Sequence, residues 1–431
     1  MRQILKITTI FLFFILVQYG RDDSVLSHHI GLDYFSRIDS LIAGHDYFEA
    51  NILFKQNSGH LNDWQKEYGE ALLDNAFNKL SRSNVRINSI IAKYRNVIPR
   101  GQLVKIFTVK HLNHAKLFEY KSAYEAVESL TSIYADLLSS KELESLTNSG
   151  RIWKALASQP AQNVTMTDRS VSIPIVIDKA GLSNIGVTGN ASYNFIFDTG
   201  ANLSTCTKST ATSMEMITLE DSIIVTSITG KEIYADLAIC PNLNIGLIKV
   251  QNAVFLVFPN QDLHIKSLDY QINGIIGFPI IEAFKKVEIL KGKSLKVNSV
   301  EKRGDRIPMA LNFYNPVISL NGRTYSFDTG AETTILYNRY YKESVELQTQ
   351  SKVIAQHRIS GTGGSIQKMG FKTPFVYSIN DEDIKIDSVR IFTENIDDNN
   401  ESLYGNIGQD VIGKFSVLQM NFDDMYIKLI K

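Results

Sequence analysis

Asp198-Thr199-Gly200-Ala201 and Asp328-Thr329-Gly330-Ala331 are the same tetrapeptide, met twice and 130 positions apart. Each follows an apolar-flanked segment, Phe195-Ile196-Phe197 in one case and Tyr325-Ser326-Phe327 in the other. Two carboxylates delivered by two copies of one unit suit a symmetric acid–base pair. Water is a poor nucleophile toward an amide carbonyl. A carboxylate pair that shares one proton can activate it: the ionised member takes a proton from water, and the protonated member donates a hydrogen bond to the carbonyl. Like charges held that close cannot both form at once, so the pair titrates in two separated steps. The expected chemistry is hydrolysis of a peptide bond with neither metal nor cofactor. Asp198 and Asp328 are the candidate catalytic residues.

The elements around the two motifs repeat as well. Gly274-Ile275-Ile276-Gly277 begins 76 residues after Asp198, and Gly405-Asn406-Ile407-Gly408 begins 77 residues after Asp328. Each block runs into a similar stretch, 278–284 and 409–415. Between these landmarks each half has a glycine turn in strand-like sequence, Ser227–Lys231 with Gly230 and Ser360–Ser365 with Gly361, Gly363 and Gly364. A lone Asp-Thr-Gly also serves as a plain turn. Landmarks in one order at near-equal spacing indicate an internal duplication instead. Gly200 and Gly330 allow the tight turn that brings two loops together and leave a backbone amide free to bond a carboxylate. Gly277 and Gly408 let a neighbouring segment pass close behind each loop.

With these residues in view, the region from about 168 to 431 resembles a retropepsin-like aspartic protease with both lobes fused in one chain. The shared pattern is an apolar strand, Asp-Thr-Gly-Ala, a glycine-containing flap and a hydrophobic-hydrophobic-Gly motif. Asn406 departs from it, standing where the family usually has an apolar residue; Ile275 conforms. The resemblance implies that Thr199 and Thr329 cross-link the loops through their hydroxyls. It also implies that an extended peptide or protein substrate lies in the cleft under flaps built on Gly230, Gly361, Gly363 and Gly364. The same glycines also read as ordinary hairpin turns. Many pepsin-like enzymes carry Ser or Thr where this chain has Ala201 and Ala331. Loss of that hydroxyl donor raises the expected apparent pKa of the pair, and with it a mildly acidic to near-neutral optimum.

Length and composition bound the rest. At 431 residues, two or three domains are expected. Lys+Arg and Asp+Glu balance at 45 each, which argues against nucleic acid as the main partner. Residues 1–20, with Arg2 and Lys6 before an apolar run from Ile7 to Val17, read as a signal peptide and predict export; an uncleaved anchor is the alternative. Cys206 and Cys240 read as buried thiols or, after export, as a pair. Two cysteines and eight scattered histidines form no metal-ligand cluster.

The stretch 28–158 reads as helical, with apolar steps of three and four at Ala123, Val127, Leu130, Ile133, Tyr134, Leu137 and Leu138. Segments 44–50 and 120–126 are weakly similar to tetratricopeptide-like hairpins; an irregular bundle packed on the β region is the other reading. Residues 75–118 contain no Asp or Glu but nine Lys and Arg, among them Arg82, Arg86, Lys93, Arg100 and Lys105. Such a run is a solvated helix face, or a dock for anionic lipid, for an acidic substrate, or for the acidic stretch Asp381–Glu401. Strand-like runs follow Pro160, and Asn321-Gly322 between two of them predicts a hairpin.

The expected organisation is a multidomain α and β protein. It has a leader at 1–20, an α-helical domain at 21–167, a mostly-β lobe at 168–298, a polar linker at 299–306 and a second mostly-β lobe at 307–431. The leading functional expectation is an exported aspartic endopeptidase. The alternatives are a non-catalytic, exported peptide- or protein-binding module, and a scaffold in which the Asp-Thr-Gly turns only close the β structure.

Overall fold

The computed structural model describes residues 23–226, 232–349, 352–361, 364–379, 382–396 and 402–431. The leader at 1–20, the turn 227–231 with Gly230, Gly363, and the acidic residues Asp381, Asp397, Asp398 and Glu401 lie outside the described residues. A helical region comes first and a large mostly-β region follows.

The helices are α1 (Asp23–Ala43), α2 (Tyr47–Asn57), α3 (Asp63–Ala76), α4 (Leu80–Tyr94), α5 (Arg100–Lys116), α6 (Tyr120–Ile133) and α7 (Ser140–Leu156). Three hairpins, α1/α2, α3/α4 and α5/α6, turn in the same way. A residue with positive φ sits at the centre of each three-residue turn: His45 at 57°, Asn78 at 59° and Phe118 at 59°. The next amide reaches back five residues, as in Lys79 N to the Asp74 carbonyl at 2.7 Å, which closes the preceding helix. Capping boxes at Asn62 and Ser139 start α3 and α7. In α6 the apolar steps bury Ala123, Val127 and Leu130. The series does not run on to Leu138. The helix stops at Ile133 and a 3₁₀ turn, Ala135–Leu137, follows, so Ile133 and Leu137 no longer share the buried face and are exposed.

The β region holds two units with matching pairings. In the first, Ser192–Phe197 runs parallel to Gly274–Ile276, which is antiparallel to Ser204–Thr207. In the second, Arg323–Phe327 runs parallel to Gly405–Ile407, which is antiparallel to Ile335–Leu336. Each unit carries a long hairpin: Ile217–Thr226 with Glu232–Ile245, and Ala355–Gly361 with Gly364–Ile379. Asn321 and Gly322, at φ 52° and 74°, make the two-residue turn that pairs Leu320 with Arg323. One antiparallel sheet of six strands joins the units, in the order Val171–Ile177, Ser294–Val297, Lys286–Leu290, Val417–Asn421, Tyr426–Ile430, Ile307–Asn312. Its buried Glu288 lies 3.6 Å from Lys296 and 3.5 Å from Lys302 and accepts from Gln419 at 2.8 Å, so the charge is compensated inside the sheet. Segment 299–306 crosses between the units, tied down by Glu301 to Lys428 at 2.6 Å. Asn163–Thr165, ahead of the expected domain boundary, already pairs with Ile248–Phe258 of the first unit.

The helices share apolar cores with both β units. Tyr120, Trp153 and Leu156 pack with Leu237, Val254 and Leu256 of the first. Ile42, Tyr47 and Phe54 lie in one cluster with Ala310, Val317 and Phe392 of the second. The basic run turns inward: Arg82 and Arg86 pair with Asp74, Lys93 with Glu67, Arg100 with Asp136 and Lys105 with Asp39, all acids of the helical region. The expected contact of this run with the acidic stretch 381–401 falls partly outside the described residues; a different pair crosses to the second unit. An acid of the helices, Asp46, meets a base of the β unit, Arg339, at 2.9 Å. Cys206 and Cys240 are buried free thiols in the core of the first unit. Among the described residues no helix is long and apolar enough to cross a membrane.

Candidate active site

Asp198 and Asp328 each follow the last residue of a strand, and the same backbone bonds hold both. Asp198 N donates to the Ile276 carbonyl at 3.1 Å, and Asp328 N donates to the Ile407 carbonyl at 3.1 Å. Three residues on, the Ala201 carbonyl accepts from Phe278 N and the Ala331 carbonyl from Gln409 N, both at 2.8 Å. The glycine blocks are needed for this approach. A Cβ on Gly277 would lie 2.6 Å from the Leu203 carbonyl carbon, and one on Gly408 would lie 2.8 Å from the Ala331 oxygen. Ser204 and Thr334 close each loop from behind, their hydroxyls accepting from Gly277 N at 3.1 Å and Gly408 N at 3.0 Å. Asp410 braces the second loop further, accepting from Thr334 N at 2.8 Å.

The two loops meet through their threonines, which are fully buried. Thr199 N donates to Thr329 Oγ1 and Thr329 N to Thr199 Oγ1, each at 3.1 Å. The hydroxyls donate onward, Thr199 Oγ1 to the Phe327 carbonyl at 3.1 Å and Thr329 Oγ1 to the Phe197 carbonyl at 3.0 Å. This interlock presses the aspartates together. Gly200 N donates to Asp198 Oδ1 and Gly330 N to Asp328 Oδ1, both at 2.8 Å. The two carboxyl groups are in hydrogen-bond contact. Burial first, then the Asp328 charge and the hydrogen bond with Asp328, push Asp198 well above the ordinary carboxylate range; the Gly200 and Ala201 amides pull the other way. Both aspartates are partly exposed, so the pair has water-facing surface. It can present a base and an acid to one reacting carbonyl.

Each loop glycine faces the opposite aspartate. A Cβ on Gly200 would lie 2.7 Å from the Asp328 carboxyl carbon, and one on Gly330 would collide with the Asp198 carboxylate. Gly200→Ala is expected to lower kcat at least ~10²-fold by forcing the carboxylates apart, because misplacing a reacting group by about 1 Å has that effect. Steady-state kinetics beside a thermal melt checks this; an alanine variant with unchanged kcat would show that the carboxylate contact is dispensable.

The two long hairpins are present, and Gly361 pairs with Gly364 at the end of the second, while Gly230 and Gly363 lie outside the described residues. The first is held by α7: Asn148 accepts from Ile224 N at 3.2 Å and donates to the Ile224 carbonyl at 2.5 Å. No local sequence signal marks that clamp. A cavity of about 620 Å³ opens between the units, lined among others by Ile177, Gly181 and Ser183 of the first and by Thr333, Ser388, Gln409 and Asp410 of the second. It does not reach the carboxylates. The matching place in the first unit, at Leu203, Val254 and Pro279, is filled by Tyr120, Trp153 and Leu156, leaving about 10 Å³. Among the described residues no three His, Cys, Asp or Glu gather as metal ligands.

Residues 184–280 match the family model described as aspartyl protease. The match spans the first Asp-Thr-Gly-Ala loop and ends at the glycine block behind it. No curated protein matches the chain.

Proposed function

We propose that the chain is an aspartic endopeptidase whose dyad, Asp198 and Asp328, forms between two lobes that are copies of one unit. The observation that carries this reading is the contact between the two carboxyl groups, each held by the same set of loop bonds. Water bound between them loses a proton to the ionised aspartate while the other protonates the scissile carbonyl oxygen; collapse of the tetrahedral species passes that proton to the leaving amine. Substrate lies extended between the lobes, with the flap glycines 230, 361, 363 and 364 over it. Export through the leader at 1–20 and the boundaries near 167, 298 and 307 belong to the same proposal. A peptide-binding module without hydrolysis is disfavoured, because binding alone does not require two carboxylates forced into contact. The test is cleavage of an unfolded, casein-like substrate, blocked by a peptide transition-state analogue and absent in Asp328→Asn. Undiminished cleavage in that variant would sink the dyad.

The pH dependence follows from Asp198. Its raised pKa means that the dyad keeps its proton above the range of an ordinary carboxylate, and activity falls as pH rises through that value. The expected kcat/KM profile peaks at mildly acidic to near-neutral pH. Ala201→Ser with Ala331→Ser, by adding donors to the charged form, should move the peak toward acid. A peak already at strongly acidic pH in the unmodified protein would contradict the argument.

A further inference from the structure

The two halves of the site differ at one place that touches the chemistry. In the first unit Ile196 and Ile275 are register partners behind Asp198, both buried and apolar. In the second, the partners at the same register are Ser326 and Asn406. Asn406 is buried, at 7 % exposure. Its Oδ1 accepts from Ser326 Oγ at 2.8 Å, which turns its Nδ2 onto Asp328 Oδ2 at 3.4 Å. Asp328 then faces Asp198, the Gly330 amide and the Asn406 amide. Among the described residues no Lys, Arg or His side chain bonds to either carboxyl group, and Asp410 is engaged by Thr334. Asp198 has no side-chain amide in the corresponding place.

We propose that Asn406, oriented by Ser326, is a positioning residue that places the shared charge on Asp328 and the proton on Asp198. The inference rests on the dyad reading above. An amide donor stabilises a carboxylate more than a neutral carboxyl, whose oxygens accept more weakly, and Ser326, donating to Asn406 Oδ1, holds the amide with its N–H toward Asp328. Asp328 is thus the base that takes the proton from water. Asp198 is the acid that donates to the substrate carbonyl.

The experiment uses the full chain and an internally quenched peptide cut from casein. Asn406→Ile is paired with the double variant Ser326→Ile/Asn406→Ile, which rebuilds the apolar pair of the first unit and guards against a folding failure. Removing the donor destabilises the singly ionised dyad. The acidic limb of kcat/KM should therefore move up by about one pH unit, the worth of one hydrogen bond to a charged group, with the alkaline limb moving less. Carboxyl ¹³C titration, assigned with Asp198→Asn and Asp328→Asn, should show the first ionisation at Asp328 in the unmodified chain and shared between both aspartates in the double variant. This readout does not depend on turnover. Limbs unmoved within about 0.3 unit, or first ionisation at Asp198, would overturn the role of Asn406. If Asp328→Asn cleaves as fast as the unmodified chain, it is the dyad reading that fails instead.

Discussion

Asp328→Asn, and equally Asp198→Asn, is expected to lower kcat for peptide hydrolysis by about 10⁴-fold or more, since each carboxylate does proton transfer that the other cannot do alone. The fold should survive. The substitution keeps the shape of the side chain, and the threonine interlock between the loops uses no aspartate atom. Losing one of two carboxyl groups in contact also relieves the charge repulsion that helps raise Asp198. The melting temperature should therefore stay level or rise in the asparagine variants while activity vanishes. Turnover near that of the unmodified protein in either variant would rule out a shared dyad.

Trp153→Ala is expected to be the most destabilising single change in the helical region, at about 3–5 kcal/mol, the usual effect of deleting a buried aromatic ring. Trp153 is 4 % exposed and stacks on Tyr120, with centroids 6.3 Å apart and planes 8° apart. Together they fill the gap over Leu203, Val254 and Pro279. The same packing sets the outcome of truncation. Residues 163–431 without the helices would expose the apolar faces around Leu237, Leu256, Val317 and Phe392, and should aggregate rather than gain activity. A helix contact built on opposite charges would have given a faster truncated enzyme and a salt-sensitive difference. Denaturant unfolding of Trp153→Ala, with light scattering and hydrolysis by the truncated chain across ionic strength, separates the two. A soluble, monomeric and faster fragment would mean instead that the helices dock by charge and restrict access to the cleft.

The two carboxylates were legible because the signal around each is local. A strand, an Asp-Thr-Gly-Ala turn and a later glycine block recur at almost equal spacing, and each glycine sits where backbone or carboxylate leaves no room for a Cβ. Asn321-Gly322 was legible for the same reason, since a two-residue turn with positive φ needs those residue types. The end of α6 was not, because nothing in the apolar steps announces the 3₁₀ turn that carries Leu137 out of the core.

Other features depend on which distant segments meet. The sequence by itself marks residues 75–118 as acid-free. It does not say that Arg82 will find Asp74 on the preceding helix, or that Arg339 will be the cation that crosses to Asp46. Composition leaves such choices open because any exposed acid within reach is an acceptable partner. Asn406 stands out in the sequence as a polar residue in an apolar motif. Only the parallel register of Arg323–Phe327 with Gly405–Ile407 puts Ser326 beside it and turns its amide toward Asp328. Chain-local patterns carry the residue types a turn requires. The direction in which a buried amide points is decided by its neighbours in space, and those are chosen by packing.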